Sequence, residues 1–370
     1  MAKYFLIAGE ASGDAHAAAL VRQIRLRDPQ AQTVALGGDL MQAAGCKLYL
    51  HIRQMAFMGF VAVAKNWRTV RNNFRIAQQA LLAEKPDVLI LVDYPSFNLR
   101  MARFCRKKLP GTRICYYIPP KVWAWKRRRI HAVARLCDEV LGIFPFEPAF
   151  YARYSYQCTY VGNPTVEETR NRNCSVSPQH GRRPFIALLP GSRPSEVLHC
   201  LPRMLEAARR FRDYDIVVTA APGLDDTFYA SFLQDGETLT RNTYAAVQSA
   251  AAAVVNSGTA TLETAFIGCP QVAVYHLAFS RLLRYTRWWL QPLCFSIKWF
   301  TPVNIAADKE IIRECIADTF TVDNVAAELQ RLLTDDAYKK EMLAAYKHLL
   351  SLFGTQSASA TAAAVVTSRP

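Results

Sequence analysis

Asp93 ends a strand-length apolar run, Val88 to Val92, in VLILVDYPSFN. A carboxylate at that place can take a proton from a hydroxyl group, a step typically worth ~10²- to 10⁴-fold in rate. An equally good reading makes Asp93 the cap of the turn signalled by Pro95 and Ser96. Glu10 stands in the same relation to an earlier run, in KYFLIAGEASGD. Open parallel sheets hold their ligands at the carboxyl ends of strands. Gly9 and Gly13 permit close backbone approach there, but the spacing is not GxGxxG and speaks against a dinucleotide fingerprint. A Glu that caps its own helix is the plainer alternative for Glu10.

About half a chain later, FIALLPGSRPSEV repeats the strand–Gly–helix pattern. Gly191 allows a tight turn, and the backbone amides with Ser192 and Arg193 can grip a pyrophosphate. The Lys-Ser/Thr of a Walker A loop is missing, and an ordinary turn with a surface arginine also fits. In NSGTATLE, Ser257, Gly258 and Thr259 open a helix with small donors, and Glu263 falls on the same face one turn on. That carboxylate can accept ribose hydroxyls while the helix start holds phosphate; a plain N-cap with a first-turn acid fits as well. His276 follows another strand and either lines a nucleotide pocket or faces solvent.

PPKVWAWKRRRIHAVAR sets Trp123 and Trp125 among Lys126, Arg127 and Arg128. Such interleaving suits single-stranded nucleic acid or a phosphorylated lipid, and a solvated basic helix start is the commonest fate of such a run. LLRYTRWWLQPLCFSIKWF, Leu282 to Phe300, reads either as buried structure or as an interfacial patch. No Ser–His–Asp order, HExxH or paired zinc-type cysteine emerges.

These residues need elements to carry them. Strands are expected near Tyr4–Ala8, Val34–Gly37, Val88–Val92, Ile114–Tyr117 and Glu139–Ile143, then Phe185–Leu189, Asp215–Thr219, Ala252–Asn256 and Val272–Tyr275. Helical patterns alternate with them, the grammar of parallel sheets covered on both faces. Residues 163 to 184 are polar, rich in Arg and Asn and broken by Pro, and read as an inter-domain linker. The Ala-rich end is either a helix returning to the first domain or a frayed tail.

The length, 370 residues, favours two domains. With 45 Lys and Arg against 30 Asp and Glu, the net charge of +15 attracts nucleotides, nucleic acid or an anionic membrane surface. Ten scattered cysteines suggest free thiols in a reducing compartment. No secretory signal and no run of ~18 apolar residues is seen.

AGEASGD, GGDLMQAAGC, MAFMGFVAV, KPDVLILVDYPSFN, VWAWKRRRI, FPFEPAFY, LPGSRPSEV, SGTATLE and VNIAADKE occur in one order. Over residues 3 to about 350 the chain resembles the lipid-A-disaccharide synthase family of glycosyltransferases. The resemblance implies an α/β fold of two Rossmann-like domains facing a cleft, the glycosyltransferase B arrangement. It divides the chain into an acceptor domain over 1–163, a UDP-sugar domain over 164–345 and a helical tail over 346–370. It implies metal-independent, inverting transfer of 2,3-diacylglucosamine from UDP to 2,3-diacylglucosamine 1-phosphate. Asp93 would be the base, Glu10 a second active-site acid, and Gly191, Ser192, Arg193, Ser257, Gly258, Thr259, Glu263 and Asn304 the donor site. Trp123, Trp125, Lys126, Arg127 and Arg128 would meet acceptor or membrane. The expected setting is the cytoplasmic face of the inner membrane, as a peripheral homodimer exchanging C-terminal segments, without nucleic acid. A UDP-N-acetylglucosamine 2-epimerase of the same fold and a non-catalytic basic membrane- or RNA-binding protein are the rival readings.

Overall fold

The structure, a computed structural model, describes residues 1–55, 67–124, 127–172, 183–221, 223–276 and 298–368. The chain divides into two compact units, Met1–Pro164 with Thr355–Pro370, and Thr165–Gly354.

In the first unit, β1 to β7 are Lys3–Ala8, Gln32–Gly37, Lys47–His51, Val88–Val92, Arg113–Tyr117, Glu139–Gly142 and Thr159–Tyr160. Among the described residues they form one parallel sheet in the order β3-β2-β1-β4-β5-β6-β7. All five residues of β4, VLILV, are buried, as an unbroken apolar run in a doubly covered sheet must be. One sheet face carries Leu6, Ala8, Ile90 and Val92 against the helix Ala11–Arg27 and the last helix, Ala358–Thr367. The other face carries Phe5, Ile7, Leu89 and Leu91 against Ala77, Leu81, Met101 and Ile130 from three further helices. The last helix is fastened at its end by Arg113, whose guanidinium donates to the carbonyls of Val365 and Val366 and to Glu139. A cation at a helix C-terminus is favourable there.

In the second unit, β8 to β13 are Phe185–Leu189, Asp215–Thr219, Thr238–Thr240, Ala252–Asn256, Gln271–Tyr275 and Arg313–Ile316. The described sheet runs β10-β9-β8-β11-β12-β13, again parallel throughout. Each sheet therefore reverses its winding once, between β1 and β4 and between β8 and β11. Ligands of doubly wound sheets bind outside the strand ends at that reversal. The α/β, Rossmann-like fold class expected from the sequence is the one observed.

Two stretches differ from the sequence reading. The polar run after Gly162 begins as a helix, Pro164–Arg172, that buries Thr165, Val166 and Thr169; proline suits a first helical turn, and the buried threonines gave no apolar period. The edge strands β3, β10 and β13 went unread because KLYLH, TLT and RECI are short and partly polar, as edges usually are.

Candidate active site

In the first unit the functional side chains stand where β1 and β4 end side by side, with Ala8 opposite Val92. Gly9 and Glu10 follow the one, Asp93 and Tyr94 the other. Glu10 is the extended N-cap residue of the helix Ala11–Arg27, yet its side chain makes no capping hydrogen bond to it. Asp14, in the same AGEASGD segment, is buried and accepts from the amides of Gly38, Leu40 and Met41 at 2.7, 3.0 and 3.2 Å. It caps the next helix, Asp39–Ala43, so AGEASGD and GGDLMQ interlock through one carboxylate.

Asp93 and Tyr94 both take left-handed backbone conformations, φ +46° and +48°. For residues with side chains each costs on the order of 1–2 kcal/mol, and such strain concentrates at functional sites. Three contacts hold it. The Asp93 carbonyl accepts from Asn98 Nδ2 at 2.6 Å and Tyr116 Oη at 2.8 Å, and its amide donates to Tyr117 O at 3.3 Å. The Tyr94 ring lies on Gly9, where an added Cβ would come within 2.4 Å of it, and its hydroxyl donates to Met55 O. Burial, with the charge of Glu10 behind it, pushes the Tyr94 phenol up. The buried Tyr116 phenol is pushed up likewise, and Asp93 adds to it. Two acids and two tyrosines thus gather at the carboxyl ends of three neighbouring strands, β1, β4 and β5. The left-handed N-cap of the following helix is Tyr94, not Asp93.

The basic–aromatic segment divides. Trp123 is a correction: it is 6% exposed, its indole donates to Glu147 Oε1 at 3.0 Å, and Phe144 and Phe146 pack edge-on against it. Glu147, buried, also accepts from the amides of Ile143 and Phe144, and burial pushes its carboxyl up. A buried indole N–H needs an acceptor, so VWAW and FPFEPAF form one core cluster, and Trp123 cannot meet a membrane. Arg127 and Arg128 are exposed. Trp125 and Lys126 lie outside the described residues, as do residues 282–297 of the Trp-rich segment.

In the second unit, Gly191 takes φ +116° at the end of β8. The turn's amides face a carboxylate of the chain itself. Glu196 accepts from Ser192 N at 3.0 Å and Arg193 N at 3.3 Å through Oε2, and from the Arg193 guanidinium at 3.1 Å through Oε1. Ser192 and Arg193 are exposed. Next along the sheet, Ser257 N donates to Val274 O, and Gly258 precedes the helix Thr259–Ile267. Glu263, half-buried, lines a pocket with Thr165, Thr169, Leu189, Thr243 and Tyr244.

Asn304 is the second correction. It is fully buried and its amide is saturated. Oδ1 accepts from the amides of Ile311 and Ile312, and Nδ2 donates to Ile312 O and Glu314 Oε1. It organises the 301–314 turn and has no hydrogen-bonding capacity left for a donor.

Among the described residues no three His, Cys, Asp or Glu side chains gather as a metal site, and no helix is long and apolar enough to cross a membrane. The described cysteines are free thiols, and burial pushes Cys115 up to about 12.

A family model for lipid-A-disaccharide synthetase matches residues 4–366. A lipid-A-disaccharide synthase of Trichlorobacter lovleyi is 34% identical over 99% of this chain and 97% of its own. Among solved structures, the glycotransferase of kitacinnamycin superposes with a TM-score of 0.63 at 13% identity, covering 99% of this chain and 98% of its own. A UDP-GlcNAc 2-epimerase from Neisseria meningitidis bound to UDP-GlcNAc gives 0.64 at 9% identity, with the same coverages. At such identities the last two speak for the fold alone.

Proposed function

The chain belongs to the lipid-A-disaccharide synthase family, and on that premise we propose how its residues divide the work of the transfer. The reaction is a hexosyl transfer: acylated glucosamine leaves UDP and joins acylated glucosamine 1-phosphate. Membership in this family sets aside the epimerase and the purely binding readings.

In this reading Asp93 takes the proton of the acceptor hydroxyl, and Glu10 is the second acid beside it. The single observation that carries the assignment is the left-handed Asp93, held by Asn98 and Tyr116 at the sheet reversal. A backbone fixed in advance at the residue that bears the carboxylate lessens the reorganisation needed when the hydroxyl arrives. On the donor side, the Gly191–Arg193 turn takes the diphosphate, Ser257, Gly258 and Thr259 offer their helix start to it, and Glu263 takes the ribose. Arg193 and the amides then stabilise the charge that UDP carries away. In this reading the diphosphate takes over the amides and guanidinium that Glu196 holds in the free chain.

Exposed Arg127 and Arg128 on a chain of net charge +15 suit acidic lipid headgroups. We assign the protein to the cytoplasmic face of the inner membrane, as a peripheral homodimer; flotation with anionic vesicles and sedimentation velocity test the two assignments. The transfer is tested by mass spectrometry of products from the purified chain given both acylated sugars. A disaccharide 1-phosphate with UDP is expected. No product from either acylated pair would sink the reading.

A further inference from the structure

The second unit carries a group of titratable side chains that the Gly191 turn does not use. His199 and Arg203 sit four residues apart on the helix Pro194–Ala208, hence on one face of it. His276 follows β12 at the carboxyl edge of the sheet. The two imidazoles face each other with ring centroids 4.6 Å apart and planes inclined by 31°. Arg203 Nη1 stands 3.5 Å from His276 Nδ1, and its guanidinium lies over the Phe320 ring. Cys200, on the same helix, is held against the His276 backbone amide. Glu196, one turn earlier, is already engaged by Ser192 and Arg193, and with Arg193 it acts on the neighbouring Tyr275.

Three groups able to carry positive charge therefore converge, and a proton on His276 would lie against the Arg203 guanidinium. In the protein as it stands, burial, then His199, then Arg203 hold His276 below the ordinary imidazole range. A bound phosphate reverses that balance, because an opposite charge within ~4–6 Å favours the protonated ring. The turn on which the donor reading rests opens this same helix.

We propose that His199, His276 and Arg203 form a proton-coupled anion subsite that seats a phosphate group of the nucleotide and binds one proton with it. The proposal rests on the reading of this unit as the donor unit. The charge balance is simple. When the sugar–phosphate bond breaks, its electron pair stays on UDP, which gains one negative charge. The acceptor proton goes to the base, and a solvent proton held on the imidazole pair offsets the added charge.

The test is calorimetric titration of the whole chain with UDP at pH 7, in buffers of different ionisation enthalpy. About 0.5–1 proton taken up per UDP is expected, and affinity should fall roughly 3- to 10-fold from pH 6.5 to 7.5. In His276→Gln the proton balance should fall to the nucleotide's own contribution and the pH dependence should flatten to match, while UDP still binds; the difference between the two proteins is the uptake assigned to the cluster. His199→Gln gives an independent check, with thermal unfolding confirming that both variants fold. Inorganic pyrophosphate should compete with UDP and carry the same uptake, whereas uridine should carry none. UDP binding without proton uptake overturns the subsite and leaves the donor reading intact. Uptake that persists in both variants overturns the assignment to this cluster. Failure of UDP to bind at all overturns the donor reading itself.

Discussion

The two switch-point turns are built from the same topology and held by opposite means. In the first unit the turn after β4 is packed and strained. Two successive non-glycine residues are left-handed, a tyrosine ring fills the space over Gly9, and the Asp93 carbonyl is clamped twice. In the second, the one left-handed residue is a glycine, the neighbouring side chains are exposed, and the turn is closed by charge, with Glu196 on two amides and a guanidinium. Proton transfer requires one atom within a few tenths of an ångström of its place. Gripping a diphosphate requires several donors that can change partners. The rigid turn suits the first task and the exchangeable one the second.

The comparison breaks most readily at Asp93. Asp93→Asn keeps the shape and removes the carboxylate assigned as base in the proposed transfer, so turnover should fall ~10²- to 10⁴-fold while UDP affinity, measured by titration, stays put. Turnover near wild type would discard the base. A pair of glycine variants comes next. In Gly9→Ala the new methyl meets the Tyr94 ring at 2.4 Å. Tyr94 must move and drag Asp93 with it, at a cost of about 1–3 kcal/mol. Turnover should drop while UDP still binds. In Gly191→Ala the cost is of similar size, from φ +116° and from Glu196 Oε2 at 2.5 Å. There UDP affinity should fall first. If both variants lose the same property, the division of labour fails.

Asn98→Ala sharpens the claim that strain at Asp93 is held rather than tolerated. Its Nδ2 donates to both Val92 O and Asp93 O from a fully buried position. Removing it should cost about 1–3 kcal/mol of stability. Chemical denaturation reads that loss, and kinetics should show kcat lowered with KM unchanged. A change in KM alone would make Asn98 a packing residue and nothing more.

What the sequence displayed follows the same division. VLILV and the other central strands were legible because full burial demands uninterrupted apolar runs, and Asp93 stood out as the first polar residue after one. Trp123 was misplaced because a basic neighbourhood in sequence says nothing about which way an indole points; its partner, Glu147, lies 24 residues on. Asn304 was misread for a similar reason. A residue in a family motif can be there to tie a loop, and the four bonds that show this come from residues 7 to 10 positions away. Nothing local announced the left-handed pair at 93–94 either. It depends on Gly9, which is 85 positions earlier, and on Tyr116 from the adjacent strand.

Glu196→Gln carries the smallest expected effect and sharpens the comparison furthest. The Glu196 carboxylate holds the Ser192 and Arg193 amides and the Arg193 guanidinium, and it is also the first-turn acid of the helix Pro194–Ala208. Two roles fit those contacts and they predict different UDP affinities. As a cap alone, its charge stabilises the turn, and the glutamine should cost roughly 0.3–1 kcal/mol of stability and leave UDP affinity unchanged. As a resident anion in the diphosphate's place, it competes with the ligand. Every interaction it surrenders in the free protein then returns as affinity, and the variant should bind UDP roughly 3- to 10-fold more tightly, about 1 kcal/mol. The matching change in the first unit, Asp93→Asn, should move UDP affinity not at all. Tighter binding in Glu196→Gln alone would mark the second turn as exchangeable. Equal affinity in both would leave its carboxylate a helix cap and put the diphosphate elsewhere on that edge.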